Sequence, residues 1–334
     1  MWALFFIFSA MQKTAARSLA LSFVFVGVWW SSALQARTSL RAEASLFAQE
    51  LNSSAPHHRF NHQPLLLSQT LSLADEYDKA VELYETGDLQ GSIKSFSRIL
   101  TVRTADRNLR NASLLGRAKM YLAISQPMLA LRDLRNINYQ NPTTQQQAEL
   151  DLLMGVTSIQ LKLYKQALSY FSAASKVILP SALLYSNRGV AYQALGDLKN
   201  ARRDFKLSLS LEKTLPTQYN LAVLEKESKN YAECVRLLNE IAISSNATPA
   251  VFQQRGICYS RLDLPESAIR DLLKALAADS ANPTTLEELA QVMAANGDQE
   301  SALKYLELAS SIYLQLGDAD NYSRLLELIE ALRR

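Results

Sequence analysis

The feature that most constrains this chain is a spacing of small and bulky residues that recurs seven times along it. In each copy a small residue is followed twelve positions later by a second small residue, and sixteen positions later by a bulky apolar one. The first small residues are Ala80, Ala118, Gly155, Gly189, Ala222, Gly256 and Ala290. The copies lie 33 or 34 residues apart after two longer steps of 38 and 37. A period of this length predicts a repeat architecture.

Each repeat is predicted to be a pair of antiparallel helices joined by a tight turn. Gly-Asp dipeptides stand between the two small residues in three of the copies: Gly87-Asp88, Gly196-Asp197 and Gly297-Asp298. Small residues on facing surfaces let two helix axes approach closely, and the bulky residue fills the space beside them. One helix pair cannot bury its apolar face alone, so the repeats are expected to stack.

The best copy is YSNRGVAYQALGDLKNARRDF, residues 185–205, and it closely resembles the tetratricopeptide repeat. The resemblance covers residues 73–314. The best copy is similar to repeats that are common in bacteria, cyanobacteria among them. It implies an all-α fold, a right-handed α-α superhelix of about seven helix-turn-helix repeats. A helix in residues 315–334, with one apolar and one charged side, is expected to cap the array.

The same resemblance implies a non-enzymatic scaffold that holds a partner protein or peptide in a concave groove. On each first helix, the residues three before, one after and four after the first small residue should face that groove. The predicted partner-binding residues are Tyr77, Val81, Tyr84, Leu115, Lys119, Leu122, Leu152, Val156, Ile159 and Val190. Because only one of them is charged, an amphipathic helix is the expected ligand. In the last two repeats the corresponding residues are more polar.

Two alternatives to an amphipathic-helix ligand in this groove follow from the sequence. The chain's own PLLLSQTLSL segment, residues 64–73, is one candidate to fold back and fill the groove. The other is a partner's C-terminal carboxylate, which some members of the family grip with lysine, arginine and asparagine side chains. Asn187 and Asn220 match two of these positions, but the flanking basic residues are missing, so this interpretation is disfavoured.

Catalytic and nucleic-acid functions find no support in the residues. No nucleotide-binding, hydrolase or zinc-protease motif occurs, and residues 73–334 contain no histidine. The three histidines, His57, His58 and His62, precede the repeats with no cysteine or carboxylate among them, which argues against a metal site. A net charge of +3 leaves no basic stripe for nucleic acid. We therefore expect no enzyme, no cofactor, no metal and a protein partner.

The N-terminal 36 residues are predicted to be a signal peptide or a membrane anchor. Lys13 and Arg17 precede nineteen uncharged residues, 18–36, whose strongly apolar core of twelve residues suits a signal peptide better than a span. A Ser/Gln-rich linker, residues 37–72, follows. We expect an exported protein, periplasmic or extracytoplasmic, that serves assembly of envelope or membrane complexes. The alternatives are an anchored protein with residues 18–36 in the membrane, and a structural module that self-associates.

The two cysteines allow two interpretations. Cys234 occupies a second small position, where it acts as a packing residue, and Cys258 lies on the first helix of the next repeat. In an exported protein the two are also candidates for a disulfide.

Three repeats carry an arginine directly before the first small residue and an aspartate sixteen positions after that arginine. The pairs are Arg117 with Asp133, Arg188 with Asp204, and Arg255 with Asp271. Because arginine occurs there only where the aspartate does, we predict an ion pair between the two helices of each of these repeats. Independent surface charges are the alternative.

Overall fold

The computed structural model describes residues 63–102, 105–176, 180–244 and 247–334. Fifteen α-helices and no β-strand occur in these ranges, which confirms the all-α prediction. The predicted signal segment, the three histidines and most of the predicted linker lie outside the described residues. The described residues divide into two compact units, one that ends at Asp197 (unit 1) and one that begins at Leu198 (unit 2).

Unit 1 contains three helix pairs and one further helix. Its helices are α1 (Gln63–Glu85), α2 (Leu89–Thr101), α3 (Arg107–Ala123), α4 (Pro127–Arg135), α5 (Thr144–Gln160), α6 (Tyr164–Ala174) and α7 (Ala182–Ala194). Each of the first six packs against the helix that follows it in the chain. Three-residue connections within each pair make its helices antiparallel. Helix α1 starts at Gln63, inside the predicted linker.

Unit 2 repeats the same arrangement and ends on a single helix. Its helices are α8 (Leu198–Leu211), α9 (Leu215–Glu227), α10 (Tyr231–Ala242), α11 (Pro249–Arg261), α12 (Pro265–Ala278), α13 (Pro283–Ala295), α14 (Gln299–Gln315) and α15 (Ala319–Arg333). Helix α15 buries Leu325 and Ile329 against the core beside α14. The predicted capping helix is thus present with its apolar side inward. None of the described helices is both long enough and apolar enough to cross a bilayer.

The small and bulky residues of the repeat meet between the two helices of a pair, as predicted. A Cβ atom on Gly155 would lie 2.5 Å from Phe171 Cε1, and one on Gly256 would lie 2.9 Å from Leu272 Cγ. Real Cβ atoms do not approach a neighbour so closely, so these glycines are required by the contact. In the first repeat, Ser92 fits because its hydroxyl donates to the Ala80 carbonyl at 2.8 Å.

The turns within the pairs share one backbone conformation whether or not they contain glycine. Gly87, between α1 and α2, has φ of 85°, in the left-handed region that glycine enters freely. Ser125, in the turn where the second repeat lacks Gly-Asp, has φ of 58°. The second repeat therefore keeps the standard turn at some cost in backbone energy.

Two of the three predicted ion pairs are confirmed. Arg117 donates to both carboxylate oxygens of Asp133 at 2.6 and 2.8 Å. Arg255 does the same with Asp271 at 2.6 and 2.9 Å. The aspartate side chains are only 1% and 3% exposed, which excludes the alternative of independent surface charges. Arg188 and Asp204 belong to different units, and their pairing stays a prediction.

We predict that removing one partner of the Arg255–Asp271 ion pair destabilises the fold more than replacing both partners with apolar residues. Asp271→Ala leaves Arg255 half-buried without its counter-charge and should lower the free energy of unfolding by about 3 kcal/mol. The double variant Arg255→Met with Asp271→Leu should recover to within about 1 kcal/mol of the parent, because no charge remains to be desolvated. Urea denaturation followed by circular dichroism measures both. If the double variant were as unstable as the single one, an uncompensated charge would not be the cause.

Candidate functional site

The candidate site is the first-helix face, the set of residues three before, one after and four after the first small residue of each repeat. In unit 1 the structure buries six of the ten residues predicted to bind a partner: Tyr77, Val81, Leu122, Leu152, Val156 and Ile159. The prediction of an open apolar groove is wrong for these six. The first helices of successive pairs, α1, α3, α5 and α7, contact one another, and these side chains lie in or beside those contacts.

The other four predicted residues of unit 1, Tyr84, Leu115, Lys119 and Val190, are partly exposed. Lys119 on α3 donates to Glu149 on α5 at 2.6 Å, so its charge already has a counter-charge on the neighbouring first helix. A role for these four in binding a partner stays a prediction.

The predicted fold-back of residues 64–73 is wrong, because this segment forms one continuous helix with the first repeat. A different segment lies against unit 1: the connection between α4 and α5, residues 136–143. Asn111 on α3 exchanges two hydrogen bonds with the backbone of Asn138, at 3.0 and 3.1 Å, and Ile137 packs against the core. The sequence signal was the long step of 37 residues between the second and third repeats.

This connection brings Tyr139 close to Glu149. Burial, reinforced by the Glu149 carboxylate, raises the pKa of Tyr139 to about 12. Burial and the same carboxylate also raise the pKa of Tyr77. Both phenols therefore stay protonated at neutral pH. The Glu149 carboxylate beside them is already paired with Lys119 at 2.6 Å.

In unit 2 the first-helix face is polar and accessible, as predicted for the last two repeats. Its residues there, Gln253, Ile257, Ser260, Glu287, Gln291 and Ala294, are all half-buried or exposed. Gln253 on α11 donates to Thr285 on α13 at 2.7 Å. Glu287 on α13 accepts two hydrogen bonds from Arg324 on α15, both at 2.7 Å. Polar bonds thus link successive first helices of this unit.

Two half-buried charges, Lys226 and Glu288, lie on first helices of unit 2 and act on each other electrostatically. Lys226 on α9 donates to Gln254 on α11 at 2.6 Å, and burial lowers the pKa of the Lys226 ammonium. Burial also raises the pKa of Glu288 on α13, while Arg261 and Lys226 act in the opposite direction. Neither residue was predicted from the sequence. Lys226 is at a face position of the fifth repeat, between the apolar first repeats and the polar last two. Glu288 lies one position away from the face position Glu287. The described residues contain no cluster of histidine, cysteine and carboxylate groups suited to a metal.

The disulfide interpretation of the two cysteines agrees with the structure. Cys234 on α10 is bonded to Cys258 on α11, with Cα atoms 6.5 Å apart. Both residues are fully buried. The bond ties the second helix of one repeat to the first helix of the next, beside the first-helix face of unit 2.

Comparison with known proteins agrees with this geometry. The family model for the tetratricopeptide repeat matches residues 182–214. This chain has the tetratricopeptide repeat fold. Members of the family generally act as interaction modules without catalytic activity. The search of curated proteins finds no match.

One solved tetratricopeptide repeat protein shares the fold, and a second structure is less similar. A tetratricopeptide repeat protein from Parabacteroides merdae is 17% identical, covers 79% of this chain and 100% of its own, and has a TM-score of 0.53. MamA from Desulfovibrio magneticus is also 17% identical and covers 52% of this chain and 98% of its own, with a TM-score of 0.49. The first of these likenesses shows the fold alone.

The burial of Leu152 in the first-helix face of unit 1 leads to a testable prediction. Leu152→Glu places a carboxylate among packed apolar side chains and should lower the free energy of unfolding by about 3 kcal/mol or more. The control Leu163→Glu changes a leucine of the same unit that is 47% exposed, and should change stability by no more than about 0.5 kcal/mol. Thermal unfolding compares the two. Equal stabilities would mean that Leu152 faces solvent and that the groove is open.

Proposed function

We propose that this protein is a non-enzymatic scaffold that binds an extended peptide of a partner protein on the first-helix face of unit 2. The observation that carries the proposal is the set of half-buried polar groups on α9, α11 and α13. Half-buried polar groups are partly desolvated, so a hydrogen bond from a ligand there competes with less water than at an exposed site.

The amide side chains on this face and one position beside it suit a peptide backbone. Each residue of a peptide offers one N–H donor and one C=O acceptor, and a side-chain amide can pair with both. Among the described residues, the Nε2 group of Gln254 and the side chain of Asn220 make no hydrogen bond, and Gln253 uses its donor but not its acceptor. An extended peptide that crosses α9 and α11 can meet these groups in succession.

The structure favours an extended peptide over an amphipathic helix. A helical ligand keeps its backbone groups paired internally and depends on an apolar surface. The apolar surface that the sequence predicted in unit 1 is largely buried. The accessible face instead carries Lys226, Gln253 and Glu287, with Gln254 and Glu288 one position beside it. These groups bind backbone and polar side chains better than apolar ones.

Export of the protein is part of the proposal. The disulfide between Cys234 and Cys258 supports it, because such bonds persist in oxidising compartments outside the cytosol and are rare within it. The signal-like residues 1–36 support it independently. A protein of this kind fits the assembly of envelope or membrane complexes, where partners are brought together without chemistry.

Peptide selection tests the binding face. Peptides selected from a random library against the full chain should bind Lys226→Met at least about tenfold more weakly, since a charge-assisted hydrogen bond is lost. Lys304→Met, which alters an exposed lysine on α14, is the matched control and should bind like the parent. Fluorescence anisotropy gives the dissociation constants. Equal loss in both variants, or none in Lys226→Met, would place the binding site elsewhere.

Light scattering on the same samples addresses self-association. A monomer at all concentrations agrees with the scaffold. A dimer that forms with concentration and excludes the selected peptides would instead support a structural module.

Thiol alkylation tests export. In protein isolated from the cells that produce it and denatured without reductant, Cys234 and Cys258 should both resist alkylation, and both should react after reduction. Mass spectrometry counts the added groups. Alkylation of both cysteines without reductant would show that the protein resides in a reducing compartment.

A further inference from the structure

A second candidate site lies in unit 2, in a cleft of about 680 Å³ lined by α8, α9 and α10. We call it the α8–α10 cleft. Its polar side chains are Arg202 and Lys206 on α8, Glu225 on α9, Asn230 in the following turn, and Glu233 and Arg236 on α10. None of these belongs to the first-helix face, so the cleft is separate from the site proposed above.

The floor of the cleft is a buried carboxylate where other repeats have a ring. Glu225 lies three residues after the first small residue, a position that holds Tyr121, Tyr192 and Tyr259 in three other repeats. Its side chain is 3% exposed and accepts three hydrogen bonds, from Arg202 Nε at 2.6 Å, Arg202 Nη2 at 3.0 Å and Asn230 Nδ2 at 3.2 Å. A buried ion pair contributes little net stability, so stability alone does not explain why glutamate stands here in place of tyrosine.

The charges around the cleft do not cancel. Glu225 neutralises Arg202, and Glu233 neutralises Arg236 through two hydrogen bonds of 2.7 Å. Arg236 uses its remaining nitrogen on Glu240 at 3.1 Å. Glu240 also pairs with Lys213 at 2.8 Å. Lys206 acts electrostatically on Glu233 but forms no ion pair among the described residues. This leaves four cations, Arg202, Lys206, Lys213 and Arg236, against three carboxylates, Glu225, Glu233 and Glu240, in and beside the cleft.

The unused donors are close together on one helix. Arg202 and Lys206 are four residues apart on α8, so their side chains lie on the same side of the helix. Within the described part of the chain, Arg202 Nη1 makes no hydrogen bond, because Nε and Nη2 carry the bonds to Glu225 and Ser228. The cleft therefore offers free guanidinium and ammonium donors and carries one unbalanced positive charge.

We propose that the α8–α10 cleft binds a single carboxylate group, held by Lys206 and the free Nη1 of Arg202. One negative charge balances the cleft. A phosphate monoester carries about −1.5 to −2 charges at neutral pH and would bring an excess negative charge close to Glu233. The carboxylate comes either from an acidic side chain of a partner protein or from a small carboxylic acid.

Titration of the full chain labelled with ¹⁵N tests the proposal. The probes are the capped tripeptides acetyl-Gly-Glu-Gly-amide and acetyl-Gly-Gln-Gly-amide, sodium butyrate and inorganic phosphate. The glutamate peptide should shift the amide signals of Ala232 and Glu233 saturably, and the glutamine peptide should bind at least about fivefold more weakly. Lys206→Met should abolish the saturable shifts. Lys199→Met removes an exposed lysine of the same helix outside the cleft, and should leave them intact.

Each outcome decides the matter. Tighter binding of the glutamate peptide than of butyrate supports an acidic protein segment as the source, and equal binding supports a small acid. Tighter binding of phosphate than of either carboxylate overturns the proposal, as does equal binding to Lys206→Met and the parent. Lys206 is exposed, so its substitution should leave the fold intact, which circular dichroism verifies. Peptide binding on the first-helix face does not depend on these results.

Discussion

The close approach of two helices at paired small residues is the constraint on which the rest of this structure depends. Gly155 and Gly256 leave no room for a methyl group beside Phe171 and Leu272, so the helices of a pair are held at one distance. A fixed distance within each pair also fixes how the next pair stacks. The bidentate bonds of Arg117 and Arg255 add direction to this contact, because a guanidinium meets a carboxylate well in only a few orientations.

The stacking of successive helix pairs determines which residues of the first-helix face are accessible to a partner. When first helices contact one another, large apolar residues such as Leu152 and Val156 fill the contact and leave the surface. Polar residues at equivalent positions, such as Gln253 and Glu287, remain partly in water and bond to the neighbouring helix. The same repeat geometry therefore gives a closed face in unit 1 and an accessible one in unit 2.

The repeat positions, the helix pairs, the final helix and two ion pairs were predictable because each depends on residues at a fixed separation within one repeat. The openness of the groove was not, since it depends on the distance between repeats. The contact of Asn111 with the backbone of Asn138 and the pairing of Arg202 with Glu225 were also missed. These join residues 27 and 23 positions apart, and no periodicity marks them.

The disulfide connects the stability of unit 2 with its surfaces. Cys234 follows Glu233 of the α8–α10 cleft, and Cys258 follows Ile257 of the first-helix face. A covalent bond between α10 and α11 therefore fixes a helix that lines the cleft against a helix that carries the first-helix face. Binding to a surface that is already ordered requires less loss of conformational entropy. In a repeat array, where each pair contacts only its neighbours, such a bond has its largest effect at the repeat boundary that it crosses.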